Sequence, residues 1–130
     1  MYMLDTNIVS HIFRKNENSL MRIGAVPTTD VCISCITEAE LRYGAAKRGN
    51  KNLLAAVDAF VGGIAVLPWE SRDAETFGAL RASMEKNGRV MGGLDLLIAA
   101  HAVSRRKIMV TNDAAFSMVS GLIVEDWTRE

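Results

Sequence analysis

Cysteine is nearly absent from this chain, with two residues in 130, and the pair cannot supply a disulfide framework of the kind small secreted domains depend on. Cys32 and Cys35 have C-x-x-C spacing, but structural zinc wants four nitrogen or sulfur ligands and the two histidines, His11 and His101, lie far apart. The two thiols are expected to be buried and inert. Proline is equally scarce, and Pro27 and Pro68 each fall at the edge of an expected element. Eight aromatic residues (two Trp, two Tyr, four Phe) are few enough that most belong in a core, leaving little for stacking on bases. An excess of charge of one sign is missing too: 15 basic residues balance 15 acidic ones. That excludes a protein that coats nucleic acid by bulk electrostatics, although local basic clusters can still grip a few phosphates. No apolar run approaches the roughly 20 residues of a membrane span, and Met1 to Ser10 has Asp5 within its apolar stretch and no basic leader. The expected compartment is the cytosol, with no membrane partner.

What is present suits one globular domain spanning residues 1–130. Nearly half of the residues are apolar (49%) and 23% are charged, which excludes disorder as the main state. Apolar and β-branched runs predict strands at Tyr2 to Leu4, Val31 to Ser34, Ile64 to Leu67, Ile108 to Val110 and Leu122 to Val124. Between them, helical spacing predicts helices from Thr6 to Arg14, Thr37 to Lys47, Asn52 to Val61, Ser71 to Lys86 and Leu94 to Val103. A polar break at Lys15 to Asn18 precedes a short helical turn around Leu20, Ile23 and Gly24. Five strands alternating with helices imply an α/β fold with a parallel sheet covered on both faces.

Four carboxylates, Asp5, Glu40, Asp95 and Asp113, stand where apolar runs end or helices begin. Taken singly, each is explained by helix capping. Asp5, Asp95 and Asp113 occupy helix starts, and Glu40 follows Thr37 at capping-box spacing. Taken together, they fall along the edge where the carboxyl ends of parallel strands gather, so an alternating fold brings them into one acidic site. Clustered acids raise one another's pKa until one protonates or a cation arrives, and the simplest occupant is a divalent metal. Asp73 and Glu75, in the first turn of a long helix, are explained by the helix dipole. Glu38, two residues before Glu40, is expected to face away from it.

The residues around these acids decide between the two readings. Leu4-Asp5-Thr6-Asn7, the run from Ile36 through Glu40 to Gly44, Gly92-Gly93-Leu94-Asp95 continuing to Ala100, Val110-Thr111-Asn112-Asp113 with Phe116, and the closing Gly121 to Trp127 follow one another in order. In this order the chain resembles the PIN-domain ribonucleases, most closely the VapC-type toxins of bacterial toxin-antitoxin pairs. The resemblance implies a PIN-like three-layer α/β/α sandwich and a metal-dependent endoribonuclease. It also implies that Asp5, Glu40, Asp95 and Asp113 bind magnesium, with manganese able to substitute, and that Thr6, Asn7 and Thr111 support them. Water is then the nucleophile and the products carry a 5′-phosphate and a 3′-hydroxyl. Further implications are a homodimer, an inhibiting antitoxin, and a structured RNA target, with the anticodon loop of initiator tRNA favoured. Gly93 stands where many relatives have proline, and the position of Asp113 varies in the family.

Basic residues for RNA are expected at Arg14, Lys15 and Arg42, with Lys47-Arg48 and Arg105-Arg106-Lys107 as further candidates. Both histidines are expected to be structural. A receiver-type signalling domain has similar length and layering, but it requires adjacent acids after its first strand and an Asp after its third, where this chain has Pro68-Trp69. A PIN-like module that binds RNA or protein without cleaving is the remaining alternative.

Overall fold

In a computed structural model, which describes residues 1–129, the chain forms a five-stranded sheet in the order β3-β2-β1-β4-β5 with every neighbouring pair parallel. The strands are β1 (Tyr2–Leu4), β2 (Val31–Ser34), β3 (Ala65–Leu67), β4 (Ile108–Val110) and β5 (Val124–Glu125). The helices are α1 (Thr6–Phe13), α2 (Glu17–Ala25), α3 (Cys35–Arg48), α4 (Lys51–Gly62), α5 (Ser71–Lys86) and α6 (Gly93–Ser104). Short 3₁₀ turns cover Thr28–Asp30 and Ala114–Met118.

The pleat of the central strands sorts their side chains into two cores. Met3, Cys32 and Met109 point to one face, where Met84 of α5 and Leu96, Ala99 and Ala102 of α6 cover them. Leu4, Ile33 and Val110, one residue later in each strand, point to the other, beneath Ile8 and Val9 of α1, Leu41 of α3 and Val57 of α4. Successive residues of a strand face opposite sides, so a sheet covered twice needs apolar residues without alternation, and these strands supply them. The result is the expected three-layer sandwich. Among the described residues no helix is long and apolar enough to cross a membrane.

Several boundaries differ from expectation for local reasons. The polar break after α1 is itself a helix signal: the Asn16 side chain accepts from Ser19 N at 3.0 Å and starts α2 at Glu17. Helix α3 begins two residues early because the Ser34 hydroxyl accepts from Ile36 N at 3.0 Å. This overturns the capping-box reading of Glu40, which lies beyond the first turn and is free to reach elsewhere. The last strand is Val124–Glu125, later than the Leu122 to Val124 run, and pairs Val124 with Met109. Cys32 is buried and Cys35 half-buried at the start of α3, and both thiols are free.

Candidate active site

With β1 at the centre of the sheet, the segments after β1 and β4 leave adjacent strands side by side. Asp5 N donates to Val110 O at 2.9 Å, which fixes the end of β1 against the end of β4. The Asp5 carboxylate then takes two roles at once. Its Oδ1 accepts from Thr6 N at 2.7 Å and caps α1, while its Oδ2 accepts from the Thr111 hydroxyl at 2.9 Å. Thr111 in turn accepts from Asp113 N at 3.0 Å, and Asp113 caps its 3₁₀ turn through Ala115 N at 2.9 Å. For Asp5 and Asp113 capping and site membership are therefore compatible, because a cap engages only one oxygen of each carboxylate.

Glu40 arrives from the opposite direction. Facing α1 from α3, its Oε1 accepts from the Thr6 hydroxyl at 2.6 Å, and the Thr37 hydroxyl lies 3.5 Å from that of Thr6. Thr37, fully buried, joins this contact, whereas its sequence position suggested only a helix cap. Asp95 sits in the first turn of α6 without a cap bond, and its carboxylate lies 3.6 Å from where a side chain on Gly92 would begin. A side chain there would meet the carboxylate in ordinary van der Waals contact. Asn7 is exposed on the first turn of α1.

Electrostatics tie the acids together. Burial raises the pKa of Asp5 to about 6, with Asp95 and Glu40 adding to the rise and the bonds from Thr111 and Thr6 opposing it. Asp95 is also raised, first by burial and then by the nearby Asp113 and Glu40. Asp95 thus interacts with each of the other three predicted acids, and Asp5 with Glu40 as well. Among the described residues, however, no three His, Cys, Asp or Glu side chains converge tightly enough to enclose a metal ion by themselves. The acids form an electrostatic neighbourhood without a closed cage. Such an all-oxygen donor set suits a hard cation that keeps much of its own water shell, as magnesium does.

Of the basic residues, Arg14 borders a groove that also contains Glu40, Thr6, Ser10, Gly44 and Arg48. Lys15 follows it with positive φ, exposed. Arg42 departs from expectation: its guanidinium is bound to Glu38 at 2.7 Å and to Asp58 of α4 at 2.9 Å, so its charge is already matched. Glu38 is turned toward Arg42, as its spacing from Glu40 predicts. Arg105 is likewise committed, to Asp73 and Glu70. Asp73 is not merely a helix-dipole acid, because it is fully buried and closes a capping box with Glu70.

The comparisons with known proteins agree with this fold. The PIN domain profile matches residues 2–122. The tRNA(fMet)-specific endonuclease VapC of Shigella flexneri is 38% identical over 129 residues, 98% of each chain. Ribonuclease VapC2 of Haemophilus influenzae is 34% identical over 128 residues, 97% of each. Among solved structures, VapBC2 from Rickettsia felis bound to a DNA fragment from its promoter superposes with a TM-score of 0.91 at 31% identity, covering 97% of this chain and 98% of that one. DNA-bound VapBC from Salmonella typhimurium gives 0.90 at 37%, with 97% of each chain covered. The chain belongs to the PIN-domain family, and within it to the VapC ribonucleases.

Proposed function

We propose that this ribonuclease is the toxin of a toxin-antitoxin pair and that it blocks translation by cutting the anticodon loop of initiator tRNA with magnesium as cofactor. The observation that carries the metal requirement is Asp5. A carboxylate held at about 6 by burial and by two acidic neighbours, with no cation against it among the described residues, leaves the site short of positive charge. Asp5, Glu40, Asp95 and Asp113 would hold the ion, and manganese suits the same oxygen donors. When bound, a divalent ion supplies an activated water and offsets charge on the scissile phosphate.

The chain's own groups prepare that site. Thr111 fixes the Asp5 carboxylate and the Asp113 backbone through one hydroxyl. Thr6 orients Glu40 with its hydroxyl while donating its backbone N–H to Asp5. Arg14, at the groove beside Glu40, is placed to meet backbone phosphates, with Lys15 next to it. The choice of initiator tRNA is supported by the naming of the Shigella flexneri relative, and a cognate antitoxin by the VapBC composition of the solved relatives. A homodimer and a cytosolic location complete the reading.

Incubating the full chain with initiator and elongator tRNAs, with magnesium or with EDTA, followed by sequencing of RNA 5′ ends, tests it. Initiator tRNA should be cut in its anticodon loop only when metal is present, leaving 5′-phosphates. Cutting that persists in EDTA would refute the metal assignment. Binding of RNA without cleavage under all conditions would establish a non-cleaving module instead.

A further inference from the structure

Away from the acids, α6 carries a second polar group into the core. His101 is fully buried, and its Nδ1 lies 2.8 Å from Ser34 Oγ while its Nε2 lies 3.1 Å from Pro68 O. Asp73 Oδ2 is 3.6 Å from Nε2, and Arg105 binds both Asp73 and Pro68 O. Serine, histidine and aspartate in sequence of contact resemble a hydrolytic triad, but Ser34 and Asp73 are also fully buried, and no substrate reaches them.

Hydrogen-bond accounting assigns the proton. Ser34 Oγ accepts from Ile36 N, the bond that starts α3, and keeps both a hydrogen to donate and a second lone pair for His101 Nδ1. Pro68 O can only accept, so Nε2 carries the imidazole hydrogen. Burial lowers the His101 pKa and favours the neutral ring, so with the hydrogen on Nε2 it is Nδ1 that accepts from the Ser34 hydroxyl.

Ser34 opens the helix that bears Glu40, and His101 lies on the helix that bears Asp95. Six residues, about 9 Å of helix, separate each contact residue from its acid, along α3 from Ser34 and along α6 from His101. We propose that His101 is a positioning residue: its bond to Ser34 sets α3 against α6 and so sets the separation of Glu40 from Asp95 across the metal site. The inference rests on the nuclease reading above. A helix transmits a shift at one end to the other, and a displacement of about 1 Å is enough to spoil a catalytic arrangement.

The test uses the full chain at a temperature where circular dichroism shows each variant folded. Magnesium affinity is measured by calorimetry, and kcat and KM on tRNA are measured separately. His101→Asn keeps an acceptor near the Nδ1 position and should retain magnesium affinity within about twofold. His101→Gln places its amide near Nε2 and loses the Ser34 bond; its affinity and kcat should fall about tenfold with KM unchanged. Ser34→Ala removes both the His101 bond and the cap on Ile36 N, so its loss should be at least that of His101→Gln. Folded His101→Gln or Ser34→Ala protein with wild-type affinity and kcat would overturn the proposal, leaving a histidine that only stabilises. Nitrogen-15 spectra of the wild type should show the Nε2–H form with Nδ1 accepting a hydrogen bond, and an Nδ1 without a hydrogen-bond partner would overturn the proposal without any variant. If the wild type neither binds magnesium nor cuts RNA, the nuclease reading itself fails; if it does both beside insensitive variants, only the role of His101 fails.

Discussion

Asp5 at the end of β1 and Asp73 in the first turn of α5 are the two buried carboxylates of the described residues, 2% and 0% exposed. Burial pushes both toward protonation. At Asp73 the Arg105 guanidinium, the Ser104 hydroxyl and the Glu70 backbone overcome that push and hold the carboxyl well below its ordinary range. At Asp5 only uncharged donors oppose it, Asp95 and Glu40 add to it, and the carboxyl rises to about 6. One acid is neutralised from within the fold and belongs to stability. On the proposed reading the other is left for an external cation, and that would be how a functional carboxylate differs from a structural one at equal burial.

Exchanging the two environments should separate the effects cleanly. Asp5→Asn is expected to reduce RNA cleavage by at least about a hundredfold, the scale of lost metal assistance, while the metal-free protein unfolds no more easily than wild type. Arg105→Ala should do the reverse. It strands the Asp73 charge and should cost about 3 kcal/mol in urea unfolding, with kcat largely kept in the protein that remains folded. An Arg105→Ala protein of wild-type stability would erase the contrast.

Acidification sharpens the same comparison, because the two acids respond with opposite sign. The raised pKa of Asp5 makes its ionised form a burden on the folded state above about 6, and that burden is relieved as pH falls toward the unfolded value of 3.8. Relative to Asp5→Asn, metal-free wild type should therefore gain stability between pH 7.5 and 4, by about 2–3 kcal/mol at most. The stabilisation from Asp73 is present above its unfolded value of 3.8 and is lost only on further acidification, through its depressed folded value. His101, lowered by burial, loses stability below its ordinary 6.5 in both proteins and cancels in the difference. A wild-type to variant gap that does not change with pH would contradict the assignment of Asp5.

The smallest expected effects concern RNA. Arg14→Ala should raise KM several-fold and flatten its salt dependence, since a phosphate contact is lost. Arg42→Ala, whose charge Glu38 and Asp58 already match, should leave kcat and KM within twofold. Equal losses from both would mean that RNA spans more of α3 than the groove beside Glu40.

How much of this could be read from residues alone follows the range of the interactions. Strand runs such as Val31 to Ser34 and the acids Asp5 and Asp95 carry their signal locally, in apolar stretches and in the residues beside them. Helix α2 was legible in part, because Asn16 as a cap looks like any polar break. The direct bond to Glu40 was not legible: Thr37 offered a nearby cap, and only the folded chain shows the Thr6 hydroxyl, 34 residues away, as its donor. Arg42 and Arg105 read as free cations for the same reason, since Asp58 and Asp73 approach them from other helices. Nothing adjacent to His101 announces Ser34, 67 residues away.

The pairing of β1 with β4 has a consequence for the life of the molecule. Asp5 and the Thr111 that steadies it are 106 positions apart, and their strands join only by long-range closure. On the proposed reading, a half-made or partly melted chain lacking that junction holds no assembled cutting centre, so catalytic competence requires β1 to have closed on β4. A cell producing this nuclease is spared its action until the fold has closed.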